Sequence, residues 1–334
     1  MTKYAALIVG AGPAGTATAL ALTHLGVGPI AVTGLPGLSP ALGETLPGAA
    51  RALLRDLGVW PAFEADRHAP ILGAVSQWGS DQIEIRDAFA NPQGPGWRLD
   101  RDRFEHMMLN QAKRGGVTVL HGRAVSFQRE RGGWRIRLTP GGDVCCQTVV
   151  DAAGRRAPIA RRLGVSKARL DRLTAHIALD PDAARTRWDG FSQITARETG
   201  WSYSTHLPDG NRLDALFTDS DLGPAPALPI VKCAAWSGRL TSFAGPGWAA
   251  VGDAACCFDP LSSQGIFHAL YGGLRLGNAL AGGGLDTYAA EIEAVWAAYR
   301  QHYHAYYAEE RRWPDAPFWK RRSSGWQTEY RRIP

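Results

Sequence analysis

The chain has 334 residues, 45% of them apolar and 20% charged, an ordinary globular composition with room for one large domain or two smaller ones. It contains no run of about 18 uncharged apolar residues, and its apolar N-terminal segment carries glycines placed for a turn rather than a cleavage site, so it reads as a soluble cytoplasmic protein without a membrane span. The net charge of +6 comes from dispersed arginines that are not interleaved like a nucleic-acid reader, and the five cysteines have neither C-x-x-C nor histidine spacing for a metal site.

The first element is an apolar strand at residues 4 to 9, followed by a glycine turn and an alanine-rich helix. Gly10, Gly12 and Gly15 form G-x-G-x-x-G: the first for a tight turn, the second for close approach of a pyrophosphate, the third for packing of helix on strand. Pro13 and Ala14 open that helix, whose positive end faces the phosphates. The second strand, PIAVTGLPG, has Thr33 or Gly34 where a dinucleotide site usually places an acid for the ribose, which predicts a weaker grip on the adenosine half.

An amphipathic helix is expected from about Asp102 to Arg114, then a strand, then a small antiparallel sheet across the Gly-Gly turns of residues 124 to 154. Segments 71 to 96 and 171 to 229 are strand-like, with a hairpin turn at PDG, 208 to 210. Residues 264 to 281 form a helix, and a long final helix at about 286 to 312 carries Trp296, Tyr299, Tyr303 and Tyr306 as a packed face. Just before the first of these helices stands GDAACCFDPLSSQGI, 252 to 266, which has carboxylates, thiols and hydroxyls but no histidine or lysine to activate them. Asp259 and Pro260 are expected to shape its turn, with Cys256 and Cys257 as buried filling.

Three blocks, GAGPAG at 10 to 15, DAAGRRAPIARRLG at 151 to 164 and GDAACCFDPLSSQG from 252, resemble in order and spacing the fingerprints of flavoprotein monooxygenases built on the p-hydroxybenzoate hydroxylase fold. The resemblance implies a two-domain α/β (α+β) architecture. A Rossmann-like FAD-binding domain would span 1–70, 97–170 and 230–285, an antiparallel-sheet substrate domain 71–96 and 171–229, and a C-terminal helix and tail 286–334. It also implies that Asp253 bonds the ribityl chain of FAD, and that Pro260, Ser262, Ser263, Gln264, Gly265 and Ile266 lay amides and a helix N-terminus beside the flavin pyrimidine edge. Glu44 and Thr45, in GETLP, would sit near the flavin, and Arg101, in D-R-x-x-F, would reach toward the FAD phosphates.

GETLPGAARALLRDLGVW, GWSYSTHLPDG and RRWPDAPFWKRR look like the subgroup of flavin-dependent halogenases, and closer still like the flavoproteins that mature cysteine tryptophylquinone in quinoprotein amine dehydrogenases and amino-acid oxidases. Tryptophan halogenases follow DPL with a glutamate, where Ser262 stands here, and need a lysine after the GETLP block, whereas none falls between residues 43 and 100. The function this implies is FAD-dependent hydroxylation of an indole or tryptophan-type ring through a flavin hydroperoxide, with a tryptophan of a partner polypeptide as substrate. Trp201 and Tyr203 would line the pocket and His206 carry a proton. O2 is the co-substrate, and NAD(P)H or a separate flavin reductase the electron source. The alternatives are small-molecule aromatic hydroxylation, halogenation, and a weakly FAD-binding chaperone of a quinoprotein precursor.

Overall fold

The computed structural model describes residues 3–34, 45–222 and 231–323, together with the backbone of 332–333. Strand Lys3–Val9 is apolar and nearly continuously buried, the signature of a strand covered on both faces, and it is the centre of a parallel sheet. From one edge to the other the order is Ala244–Gly245, Trp248–Ala250, Gly142–Asp151, Lys3–Val9, Ile30–Thr33 and Thr118–Leu120. Strand Gly142–Asp151 runs parallel to Lys3–Val9 and antiparallel to Gly133–Thr139, which pairs in turn with Arg123–Glu130. The antiparallel region expected at 124 to 154 is therefore one half of a sheet whose last strand crosses into the nucleotide fold.

Helix α1, Pro13–His24, is buried along most of its length, so its alanines and threonines serve close packing rather than an amphipathic surface. Across it lies helix Gly265–Asn278, whose Gly273 and Gly277 meet Ala17 and Ala21 so closely that any Cβ there would collide. This contact aims the N-terminus of the second helix toward the same edge of the sheet as that of α1. The helix expected from Asp102 begins at Arg101 and ends at Arg114, with Asp100 capping it by accepting the Arg103 amide.

The second unit is a seven-stranded sheet in the order Val231–Ala234, Leu173–Asp180, Arg212–Asp219, Gly200–His206, Phe191–Arg197, Gly73–Gln77 and Glu84–Asp87. It is antiparallel except where Phe191–Arg197 runs parallel to Gly73–Gln77. Val231–Ala234 belongs here through its pairing with Leu173–Asp180, so the boundary at 230 falls one strand early. The long helix Leu285–Glu309 ends three residues before the expected limit and buries Tyr288, Ile292, Trp296, Tyr299, Tyr303 and Tyr307. Tyr307, not Tyr306, completes the row, because four residues after Tyr303 the helix returns to the same face. Tyr306 packs at the margin of the row against Trp78.

Candidate functional site

The first half of the site is made of backbone. Gly10 has φ +126°, and a Cβ there would stand 2.2 Å from the Ala152 carbonyl oxygen; a Cβ on Gly15 would stand 1.9 Å from that of Gly10. These two glycines are needed for the fold itself. Gly12 differs: a Cβ on it would meet nothing within 4 Å, so its missing side chain leaves open space at the start of α1. No side chain caps that helix, Pro13 occupies its first turn and no acid lies in that turn, so its amides are available to an anion. Thr33 is buried at the end of its strand and donates its hydroxyl to the Gly122 carbonyl at 2.6 Å.

Opposite the glycine turn, Gly252–Ala254 forms one turn of 3-10 helix that rests on Ala14. The Asp253 carboxylate lies 3.2 Å from Arg155 Nε, and Arg155 also donates to the carbonyls of Trp236 at 2.7 Å and Phe258 at 3.3 Å. Burial works against the Arg155 charge, but Asp253 overrides it and raises the guanidinium pKa. Lys167 directs its ammonium to the carbonyls of Arg155, Asp253 and Ala254. Asp151, at the end of the strand before the Asp-Gly block, accepts from the amides of Ala153, Ile159 and Ala160, closing that loop onto the sheet.

The turn that follows is shaped by Asp259, which accepts the Leu261 amide at 2.9 Å, and by Ser262, whose hydroxyl donates to the Asp259 carbonyl at 2.8 Å. Pro260 starts the short helical turn. Ser263 takes a left-handed backbone, φ +50°, which reverses the chain into helix Gly265–Asn278. Gln264 precedes that helix without capping it through its side chain, and Ile266 anchors the first turn in the core. Two helix N-termini without side-chain caps, open space over Gly12 and a carboxylate steadied by Arg155 between them are a donor and acceptor set that fits a flavin dinucleotide. Cys256 and Cys257 are buried and their thiol pKa values are pushed up by that burial, which suits packing and not redox exchange.

The second half of the site is made of side chains. Along Gly200–His206 residues alternate between faces, so Trp201 and Tyr203 share one face and His206 lies on the other. Trp201 is not a pocket wall: it is 1% exposed, stacked on Phe217 with ring centroids 3.9 Å apart, and its indole N–H donates to the Tyr307 hydroxyl at 3.0 Å. The Tyr203 phenol lies 3.3 Å from the Ser192 hydroxyl. His206 is buried with Nδ1 3.2 Å from Asp189, without the alignment of a hydrogen bond. It borders a cleft of about 600 Å³ over the outer face of the sheet, lined also by His176, Gln193, Ser202, Ser204 and Asp214. The structure therefore separates His206 from Trp201, whereas Tyr203 borders the same cleft as His206. Arg101 is braced by Glu105, one turn on, at 2.5 Å. Thr45 pairs with Arg98 across a short ladder, and Glu44 lies outside the described residues.

Behind the turn runs a buried polar network that the sequence does not announce. Tyr307 donates to Asp259 Oδ2 at 2.7 Å, the Asp259 amide donates to the Tyr299 hydroxyl at 2.9 Å, and Tyr299 pairs with Ser237, whose amide donates to Asp171. Burial, then the charge of Asp171, pushes the Asp259 carboxyl up to about 7. Burial pushes His268, packed on Phe258, down to about 4, so it is neutral near pH 7. Arg155, Lys167, Tyr307 and Arg98 are absent from the expected site. The arginine of DAAGRR is visible in the sequence, but its pairing with a carboxylate 98 positions later follows only from the crossing of two loops.

Among the described residues no three His, Cys, Asp or Glu side chains are grouped to hold a metal ion, and no helix is long and apolar enough to cross a membrane. The profile of the tryptophan halogenase family matches residues 73–331. LodB of Marinomonas mediterranea, whose description is of an FAD-dependent oxidoreductase, is 27% identical over 96% of this chain and 97% of its own length. Among solved structures, the peptidyl tryptophan dihydroxylase QhpG, essential for tryptophylquinone cofactor biogenesis, superposes with a TM-score of 0.78 at 25% identity, over 98% of this chain and 80% of that one. The myxobacterial chondrochloren halogenase CndH gives 0.81 over 96% of this chain and 86% of that one, but at 20% identity it speaks for the fold alone.

Proposed function

This chain belongs to the tryptophan halogenase family and is a flavoprotein oxidoreductase that uses FAD, and from that premise we propose that it is a monooxygenase hydroxylating the indole ring of a tryptophan residue carried by a partner polypeptide. Bound FAD supplies the oxygen-activating chemistry, with O2 as co-substrate and electrons from NAD(P)H or a separate flavin reductase. The protein's part is to bind, orient and keep dry. The first turn of α1, over Gly12, holds the pyrophosphate, and Asp253, steadied by Arg155, accepts from the ribityl hydroxyls. The first amides of helix Gly265–Asn278 face the pyrimidine edge and favour negative charge there. Trp201 on the sheet, bonded through Tyr307 to Asp259 of the turn, seals one side of this cradle and keeps water out.

One observation carries the choice of oxygen over halogen. Resemblance to the tryptophan halogenases calls for a glutamate after Asp259-Pro260-Leu261 and a lysine beyond the GETLP block. Ser262 instead spends its hydroxyl on the Asp259 carbonyl, and Lys167, the lysine that touches the cradle, is bound to three carbonyl oxygens. The likeness to QhpG supports a polypeptide substrate, and the net charge of +6 suits an acidic partner. The test is to supply FAD, NADH or a flavin reductase, air and a tryptophan-containing polypeptide, with chloride and bromide present. Addition of one or two oxygen atoms to a tryptophan residue in the mass spectrum is the expected result. A halogen isotope pattern, or oxygen added only to small aromatic molecules, would overturn the reading.

A further inference from the structure

We propose that Arg98 is a receptor for a carboxylate of the substrate, clasping both carboxylate oxygens with one edge of its guanidinium. The inference deepens the reading above and rests on it for the location of the substrate. Arg98 is fixed through its backbone: the strand Trp97–Arg98 pairs on one side with Thr45 and on the other with Ala69, both at Arg98 itself. The residue is 5% exposed, and neither Nε nor Nη2 has a hydrogen-bond partner among the described residues.

Those two nitrogens are not an arbitrary pair. They lie on the same edge of the guanidinium and point their N–H bonds in parallel, the geometry that matches a planar carboxylate at two points. Among the described residues the protein uses this edge elsewhere: Nε and Nη2 of Arg275 hold both oxygens of Glu291, those of Arg137 hold both oxygens of Asp143, and those of Arg312 hold both oxygens of Glu310. Each of those clasps is filled from within the chain; the first two stand near solvent, and the third is closed by the buried Glu310. At Arg98 the same edge is buried and meets no acceptor among the described residues.

The groups whose charge Arg98 senses are the Tyr203 phenol and Asp189, on the substrate sheet and the loop entering it. Asp189 is already engaged by the amide and hydroxyl of Thr186, by Arg185 and by His206. Tyr203 and Ser192 place two hydroxyls on the same side. Burial lowers the pKa of Arg98, but a guanidinium starts so high that it stays charged, so the site keeps a cation whose Nε and Nη2 donors meet no acceptor among the described residues. The phosphates of FAD have their own cradle at α1, and the groups whose charge Arg98 senses, Tyr203 and Asp189, belong to the substrate sheet and the loop entering it, which assigns the anion to the substrate.

The experiment is calorimetric titration of the FAD-loaded protein with matched acids and amides: N-acetyltryptophan against its amide, phenylacetate against phenylacetamide, and a C-terminally amidated peptide with Asp beside Trp against its Asn counterpart. In the wild type the acid of at least one pair binds about tenfold or more tightly, the worth of a charge-assisted bidentate contact. The preference disappears in Arg98→Gln and returns in part in Arg98→Lys, with FAD content unchanged. Preference in the Asp/Asn pair identifies a side-chain carboxylate as the source, and preference confined to the first two pairs a terminal one. Equal affinity for acid and amide, absence of binding by every acid, or a preference that survives Arg98→Gln overturns the proposal. Loss of FAD from Arg98→Gln without change in the acid-to-amide ratio also overturns it and gives Arg98 to the cofactor. If the indole reading is wrong while this one holds, the phenylacetate pair shows the preference and neither indole ligand binds.

Discussion

The two halves of the candidate site are built from different material. At the sheet edge that faces α1 and helix Gly265–Asn278, the work falls to backbone: glycines that allow close approach, two open helix N-termini and one left-handed serine. On the seven-stranded sheet it falls to side chains drawn from distant segments, such as Trp201, Tyr307 and Asp259, joined by hydrogen bonds that span 106 and 48 positions. A backbone cradle is intolerant of added atoms but indifferent to most side chains around it. A side-chain network is tolerant of shape and intolerant of lost donors.

The largest effect should appear within the glycine turn, where the comparison can be broken at a spacing of three residues. Gly15→Ala places a Cβ 1.9 Å from a carbonyl oxygen that cannot move without the turn, so a loss of about 3 kcal/mol or more in stability is expected. Gly12→Ala adds the same atom to open space and should leave the melting temperature nearly unchanged while weakening FAD about tenfold or more, because the atom occupies the approach of the pyrophosphate. Thermal unfolding of the flavin-free protein and FAD titration read the two effects separately. Equal melting temperatures for the two variants would mean that Gly15 does not pack as described.

Next in size is Asp253→Ala. It removes an acceptor steadied by Arg155 at 3.2 Å, and a charge-assisted bond of about 1.5 to 3 kcal/mol corresponds to roughly 10- to 150-fold weaker FAD retention by equilibrium dialysis. Asp253→Asn should lose less, since an amide oxygen still accepts. Unchanged affinity in both variants would remove Asp253 from the cradle.

On the side-chain half, Tyr307→Phe deletes the donor to Asp259 and the acceptor of the Trp201 indole N–H at once, with an expected cost of about 1 to 3 kcal/mol and no direct change in FAD affinity. The same network sets a pH dependence. The folded carboxyl of Asp259 is raised to about 7, so the native state holds its proton more tightly than the unfolded chain does. The stability this contributes is fully present below the ordinary carboxylate range and is lost as pH rises toward 7. Urea unfolding from pH 4 to pH 8 should therefore show the wild type losing stability relative to Asp259→Asn, and parallel profiles would mean that Asp259 is not held up by burial and Asp171.

This division also decides what was legible in the sequence. G-x-G-x-x-G, the Asp-Gly block and DPLSSQG declare themselves because the backbone conformations they serve need particular residues at fixed spacing, and the order of sheets and helices follows from them. Trp201 and Tyr203 share a face, as period-2 alternation requires, but nothing local distinguishes a wall of a pocket from a ring sealed under Tyr307. His206, five residues after Trp201, falls on the opposite face by the same alternation, a separation that parity alone predicts. Arg98 gave no signal at all: an arginine in an alternating stretch reads as surface, and only the two flanking ladders at Thr45 and Ala69 turn it inward.

Thr33 is where the two kinds of construction meet, and it carries the smallest predicted effect. It stands at the end of its strand, where an acid would reach the ribose, but it is 2% exposed and its hydroxyl hydrogen is committed to the Gly122 carbonyl at 2.6 Å. The hydroxyl thus ties the second strand to the turn at Gly122, and only its remaining lone pair could serve a ligand. Thr33→Val keeps shape and volume and leaves that carbonyl without its donor, so about 1 kcal/mol of stability should be lost while FAD affinity changes by less than about threefold. Thr33→Ser, which keeps the hydroxyl, should recover most of the lost stability. A large loss of affinity in the valine variant with stability intact would reverse the assignment and make Thr33 a ribose ligand, in which case the adenosine half of the cradle would depend on a side chain after all.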